Sequence, residues 1–364
     1  MTQPDLAIIG PLKAWGGIER KLTILCREFV AKGVRVQLVL VRGGELPYPD
    51  EFPGEVEVVK LGNRGKLEGV FRLARHLRTH RPRAILAIKD HGATIALLSR
   101  SIMRLDLPVY VKITNTLSQT LRRRSKRWGV RILYPWLADR LIAVSHGVRD
   151  DLIAHFGIKP AQIEVIYNPT VTPDIAERCS LSVNHPWLAD AGVPLIIGVG
   201  RLTPQKDFPT LLRAFTKVRA ARPARLILLG DGPLRPELIQ LARQLGVSSD
   251  VDFAGVVPDV IPWLARASLF VLSSRYEGLP NALIEALAAG CPVVSTDCPS
   301  GASEILMGGQ LGSLVPIGDD EAMAHAMMTR LGLKPSPEII AQSLDRFSSA
   351  GVAQQYLELM GIHV

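Results

Sequence analysis

The 364-residue chain contains no run of about eighteen apolar residues, so nothing in it predicts a membrane-spanning helix. Cysteine is scarce. Cys26, Cys179, Cys291 and Cys298 are too scattered for a disulfide framework and read as reduced thiols. The step from Cys291 to Cys298 does not match the spacing of a zinc site, and no metal is expected. The opening Met1-Thr-Gln-Pro-Asp lacks the basic-then-apolar pattern of a secretion signal, which predicts a cytoplasmic protein. The Gly-x-Gly-x-x-Gly dinucleotide fingerprint is absent after the first apolar strand. No RNA- or DNA-binding motif occurs either, so nucleic acid is not the expected partner. The net charge of +9 and a pI near 9.6 do favour something acidic: an anionic lipid surface or a phosphorylated substrate.

What is present is an ordinary globular composition, 47% hydrophobic and 21% charged, long enough for two cores. Apolar runs alternate with helical patterns: strand Leu6–Ile9, helix Ile18–Lys32, strands Val34–Val41 and Val56–Leu61, helix Leu67–Thr79, strand Ala84–Ile88, a helix around Ala93–Met103, and strand Val109–Ile113. Such alternation predicts a parallel sheet covered on both faces, with ligands gathering outside the carboxyl ends of the strands. By that rule Gly16, Gly17, Lys89, Asp90, His91 and Asn115 point to one crevice. The paired glycines let backbone approach a ligand closely, although a plain flexible turn reads almost as well. His91 is a candidate catalytic group or a capping residue. Thr170 to Gly192 lacks periodicity and reads as a linker.

The most informative stretch runs from Ser273 to Gly290. It follows an apolar strand over Ala267–Leu272 and carries Glu277 in a turn and Glu285 on a short helix. Pro280 suits the first helical position and Gly290 the left-handed residue that ends it. Two carboxylates beside a helix start suit a ligand with both hydroxyls and phosphates, such as a sugar nucleotide. Upstream, Gly198-Val-Gly200-Arg201 with Lys206 and Asp207 supplies a thin loop and two cations, and Asp207 can cap the helix from Phe208. A guanidinium, an ammonium and helix N–H groups together match the charge of a diphosphate leaving group. Val257, in Gly255-Val-Val257-Pro258, lies where a nucleotide base could be bordered. Asp250 and Asp252 have metal-pair spacing but sit at the wrong end of their strand.

Leu121 to Trp136 differs from the rest, packing Arg122, Arg123, Arg124, Lys126, Arg127 and Arg131 among Trp128, Tyr134 and Trp136. Basic residues near an anionic leaflet contribute roughly 1 kcal/mol each, and indole rings favour the headgroup level. This segment predicts a peripheral contact with an anionic membrane, or a dock for a lipid-diphosphate acceptor.

Taken in order, Gly16-Gly17-Ile-Glu19-Arg20, Val144-Ser145-His-Gly-Val, Ile166-Tyr-Asn168-Pro169, Gly200-Arg201 with Lys206, Gly230-Asp231-Gly232, and Glu277 eight residues before Glu285 resemble glycosyltransferase family 4 along essentially the whole chain. The resemblance implies an α/β GT-B fold, two Rossmann-like domains facing each other across a deep cleft. It implies an acceptor domain over residues 1–170, with a final helix at about 347–364 packing back on it, and a donor domain over 171–346. It further implies retaining, metal-independent transfer from a nucleotide-sugar donor, with UDP the expected nucleotide, to a glycan or lipid-linked acceptor. Position by position, Arg201 and Lys206 would bind the diphosphate, Glu285 the ribose, and Glu277 the transferred sugar. Backbone N–H groups of Gly278 and Leu279 would face sugar and phosphate, Gly16 and Gly17 would admit the diphosphate, and Gly200 and Pro280 would belong to the same donor-binding set. Relatives place a histidine facing the transferred sugar; Ile88-Lys89-Asp90-His91 offers His91 for that role. Two other readings stand beside it: a UDP-sugar epimerase of the same fold, and a non-catalytic anion- or nucleic-acid-binding module.

Overall fold

The computed structural model describes residues 3–13, 15–121, 123–189, 192–333 and 337–363. The chain divides into two compact units, Met1–Pro169 with Phe347–Val364, and Thr170–Arg346. The first is built from β1 (Leu6–Gly10), α1 (Gly17–Ala31), β2 (Val36–Leu40), β3 (Glu57–Lys60), α2 (Lys66–His80), β4 (Ala84–Ile88), α3 (Lys89–Ile102), β5 (Val109–Ile113), α4 (Leu117–Thr120), α5 (Arg124–Leu137), β6 (Arg140–Ala143), α6 (His146–Phe156) and β7 (Ile163–Val165). All seven strands are parallel, in the order β3-β2-β1-β4-β5-β6-β7. Strand order reverses between β1 and β4, which puts the ligand edge of this sheet at the ends of those two strands. Their side chains are buried on both faces, and their sequences LAIIG and AILAI are continuous apolar runs for that reason.

The second unit contains α7 (Ile175–Ser180), α8 (Pro186–Ala189), β8 (Leu195–Val199), α9 (Phe208–Ala221), β9 (Arg225–Leu229), α10 (Arg235–Gln244), β10 (Val251–Gly255), α11 (Ile261–Leu264), β11 (Leu269–Leu272), α12 (Asn281–Ala288), β12 (Val293–Thr296), α13 (Ala302–Ile305), β13 (Ser313–Val315), α14 (Asp320–Arg330) and α15 (Pro337–Leu344). Its six parallel strands run β10-β9-β8-β11-β12-β13, so the switch point lies between β8 and β11. The loops carrying Lys206 and Glu277 leave those two strands.

The last helix, α16 (Ser349–Met360), belongs to the first unit. Val352, Ala353, Tyr356, Leu357 and Met360 join Phe29, Leu25 and Leu38 in its core, and the Tyr110 hydroxyl donates to the carbonyl of Leu359 at 3.0 Å. Burying six residues of a twelve-residue helix, five of them apolar, anchors a segment far from its partners in sequence.

Three expectations change. The stretch 170–192 is no bare linker. It forms α7 and α8, and Arg178 on α7 holds Asp259 through two hydrogen bonds of 2.7 and 2.8 Å. The helix after β4 begins at Lys89, four residues earlier than its apolar periodicity suggests, so Asp90 and His91 occupy its first turn. Strand β13 and helix α15 are not visible in the pattern, because a three-residue strand that includes a serine and a helix of eight residues carry too little period to read.

Candidate active site

The carboxyl end of β8 and the turn after β11 are tied together before any ligand is considered. Gly200 has no side chain, and the stem of Lys206 occupies that place: a Cβ there would lie 2.8 Å from Lys206 Cε. The Gly200 amide donates to the carbonyl of Leu229 at 2.9 Å, and the Leu202 amide to that of Asp231 at 3.0 Å. Gly230 is required because a Cβ there would lie 2.1 Å from the carbonyl oxygen of Gly200. The Gly230-Asp231-Gly232 turn is thus a clamp on the Gly200–Leu202 loop, a role its sequence alone does not disclose.

Lys206 then meets Glu277. Nζ lies 2.6 Å from Oε1 of a carboxylate that is only 7% exposed. Ser274 donates its hydroxyl to the same oxygen at 2.6 Å, and Gln205 Nε2 reaches Oε2 at 3.4 Å. The backbone is laced as well. Ser273 Oγ donates to the Lys206 carbonyl at 2.7 Å, and the Arg275 amide to the Gln205 carbonyl at 2.8 Å. A buried ion pair with this many additional partners holds its position, and loss of one member leaves a charge stranded.

Asp207 is the residue before α9 but does not cap it through its side chain. Its backbone is left-handed, with φ 46°, and its buried carboxylate pairs with Arg275 at 3.1 Å. Arg201 is exposed on the same loop, and among the described residues its side chain makes no ion pair or hydrogen bond. It is the cation of this loop not engaged by protein.

Pro280 sits one position before α12 rather than in its first turn; Gly290, with φ 71°, follows the helix as expected. Gly278, Leu279 and Pro280 are buried, and Ser300 Oγ donates to the carbonyls of Glu277 and Gly278, the latter at 3.0 Å. Glu285 is half-buried on α12, near Arg178. Burial works against the Arg178 charge, yet Asp259, Asp174 and Glu285 together hold its pKa above the ordinary value. Arg178, held by Asp259, is therefore a neighbour of Glu285 that the sequence did not announce. Val257 is half-buried on the loop after β10.

In the first unit, Glu19 is the organiser. It is 4% exposed, pairs with Lys89, and accepts the Lys13 amide at 3.3 Å. A Cβ at Gly16 would meet Glu19 Oε2 at 2.5 Å, so this glycine makes room for the carboxylate; Gly17 has open space around it. Lys89 adopts a left-handed backbone, with φ 58°, and also donates to the Pro11 carbonyl at 3.2 Å. His91 follows in the first turn of α3. Its Nε2 is buried with no hydrogen-bond partner among the described residues. Burial, then the cations of Arg42 and Lys66, push its pKa below the usual value, so the ring is neutral at pH 7. A neutral imidazole has one donor and one acceptor to offer a hydroxyl.

The family model for glycosyl transferases group 1 matches residues 193–332, and that for glycosyltransferase family 4 matches residues 15–172. The chain belongs to this family. The lipopolysaccharide core biosynthesis glycosyltransferase LpsE of Rhizobium meliloti is 36% identical over 242 residues, 64% of this chain and 67% of that protein. An N-acetylgalactosamine-N,N'-diacetylbacillosaminyl-diphospho-undecaprenol 4-alpha-N-acetylgalactosaminyltransferase of Campylobacter jejuni is 30% identical over 235 residues, 63% of this chain. The match spans 62% of that relative, under two thirds of its length. The two-unit α/β architecture is that of a Rickettsia africae glycosyltransferase, with a TM-score of 0.81 at 17% identity, covering 99% of this chain and 98% of the other. Anabaena HepE, solved with UDP and glucose, gives 0.80 at 22% identity over 99% and 100%. The fold is GT-B.

Proposed function

We propose that this chain transfers a sugar from a nucleotide diphosphate, with UDP as the nucleotide, to a lipid-linked or polysaccharide acceptor, retaining the anomeric configuration and using no metal. The observation that carries the reading is the buried Lys206–Glu277 pair at the switch point of the second sheet. As the bond between sugar and diphosphate breaks, negative charge grows on the departing oxygen. Lys206 and the protein-free guanidinium of Arg201 can offset it, each donor being worth about a hundredfold to a thousandfold in rate. Glu277 accepts hydrogen bonds from hydroxyls of the transferred sugar, and Glu285 from those of the ribose. In the first unit His91, whose buried Nε2 has no partner among the described residues, is the candidate sugar-facing group. The relatives named for lipopolysaccharide and undecaprenol-linked glycans, and the neighbour solved with UDP, support donor and acceptor class.

We place the working site at an anionic membrane surface. No described helix is long and apolar enough to cross a bilayer. Helix α5 instead presents Trp128, Ile132 and Trp136 to solvent, 61%, 54% and 83% exposed, at four-residue steps that put them on one face. Arg124 and Arg131 flank that stripe and are exposed; Arg122 lies outside the described residues. An apolar stripe edged by cations suits the headgroup boundary.

The test is UDP release from a panel of UDP-sugars by the full-length protein with membrane extract as acceptor. Turnover is expected to survive EDTA, to yield product with the donor's anomeric configuration, and to be lost in Lys206→Ala and Glu277→Gln. Activity that survives both substitutions sinks the site. Release of a free epimerised sugar, with no acceptor consumed, would favour the epimerase.

A further inference from the structure

Immediately before Gly16 the first unit exposes a large aromatic that its core does not use. Trp15 is 58% exposed, and it lines a hollow of about 440 Å³ together with Leu12, Lys13, Gly43 and Glu45. The indole is held in place. Tyr48 meets it edge-on, with ring centres 4.8 Å apart, and the Tyr48 hydroxyl donates to the carbonyl of Gly16 at 3.4 Å. Tyr48 is itself braced by Arg20, whose guanidinium carbon lies 5.1 Å from the ring centre and whose Nη1 pairs with Glu51 at 3.3 Å. The two walls of the hollow are joined by backbone, the Glu45 amide donating to the Leu12 carbonyl at 3.1 Å. The hollow opens at the carboxyl end of β1, the ligand edge of this sheet.

We propose that this hollow is a subsite for a single pyranose ring, stacked on the Trp15 indole and belonging to the acceptor. A pyranose has an apolar face of C–H groups and a rim of hydroxyls. The C–H face carries slight positive charge and suits the electron-rich face of an indole, which is the largest aromatic face a protein has. The rim needs donors and acceptors at the edge of that platform. Lys13, donor only, and the carboxylate of Glu45, acceptor only, line the same hollow. A pocket with one large apolar wall and a few polar groups at its margin is the usual form of a small-ligand site. Lys13 and Glu45 carry opposite charges, so the margin of the hollow offers the hydroxyls of a neutral sugar both a donor and an acceptor. A braced indole also loses little freedom on binding, which favours affinity. Naming this sugar the acceptor rests on the transfer reading above; the stacking itself does not.

Saturation-transfer NMR on the full-length protein decides it, with methyl glucopyranoside, methyl galactopyranoside and methyl N-acetylglucosaminide each at millimolar concentration. At least one is expected to receive saturation, strongest on the protons of one ring face. Trp15→Ala should weaken that binding about tenfold, while Trp15→Phe retains most of it. Trp15 lies outside the core, and the melting shift produced by UDP should be unchanged in both variants. The assignment is overturned if none of the three sugars receives saturation, or if Trp15→Ala binds as the wild type does. It is overturned equally if Trp15→Ala loses the response to UDP, because the residue would then serve the fold. A wild type that binds the pyranosides but not UDP would sink the donor reading and leave this one standing.

Discussion

Nζ of Lys206 lies 2.6 Å from Oε1 of Glu277, and the loops that carry them are hydrogen-bonded to each other through Ser273 and Arg275. Their effects should therefore not add. Lys206→Ala alone should lower turnover about a hundredfold to a thousandfold. Glu277→Ala alone strands an ammonium. The double variant should be far less damaged than the sum of the two, with a coupling of about 0.5–3 kcal/mol in both melting and turnover. Additive effects would mean the pair does not act as a unit.

Gly230 tests the clamp. A methyl group there lies 2.1 Å from the Gly200 carbonyl oxygen, and the residue sits at φ 133°. Gly230→Ala should cost about 1–3 kcal/mol by overpacking and displace the loop that carries Arg201 and Lys206. The check is thermal melting together with UDP titration. Gly246→Ala, also at positive φ (72°) but with open space around it, serves as the control for backbone strain alone.

Lys112 predicts a pH dependence. It is buried on β5, and its ammonium lies 5.3 Å from the ring centre of Tyr356 on α16. Burial pulls its pKa down from 10.5 to about 7. The folded value lies below the unfolded one, so in that window the unfolded chain binds the proton more tightly. Stability should then rise with pH from about 7 toward 10.5, and the penalty is fully present below 7. Lys112→Met should raise the melting temperature at pH 7 and flatten this slope. An unaltered slope in the variant refutes the assignment.

Helix α5 should separate insertion from charge. Trp128→Ala/Ile132→Ala/Trp136→Ala should reduce flotation with phosphatidylglycerol vesicles about tenfold or more, at low and high salt alike. Arg124→Glu/Arg131→Glu should matter mainly at low salt, because exposed charges are screened beyond about 10 Å in 0.1 M salt. Neither variant should change UDP release in solution. Unaltered flotation in the first variant removes the membrane role of the stripe.

Much of this molecule is legible in its sequence. Continuous apolar runs such as LAIIG and AILAI are too short for buried helices and read as strands buried on both faces, and their alternation with amphipathic helices points to parallel sheets. The order of short motifs from Gly16 to Glu285 carries the family, because glycines and charged residues at fixed spacing can be read from the sequence even where their contacts cannot. What tertiary structure alone decided is everything set by contact between distant segments. That Gly230 clears space for Gly200, that Asp207 turns from its helix to Arg275, that Arg178 in an apparent linker reaches Asp259, and that Trp15 rests on Tyr48 all depend on distances across the fold. Sequence records which side chains are available; only packing determines which of them meet.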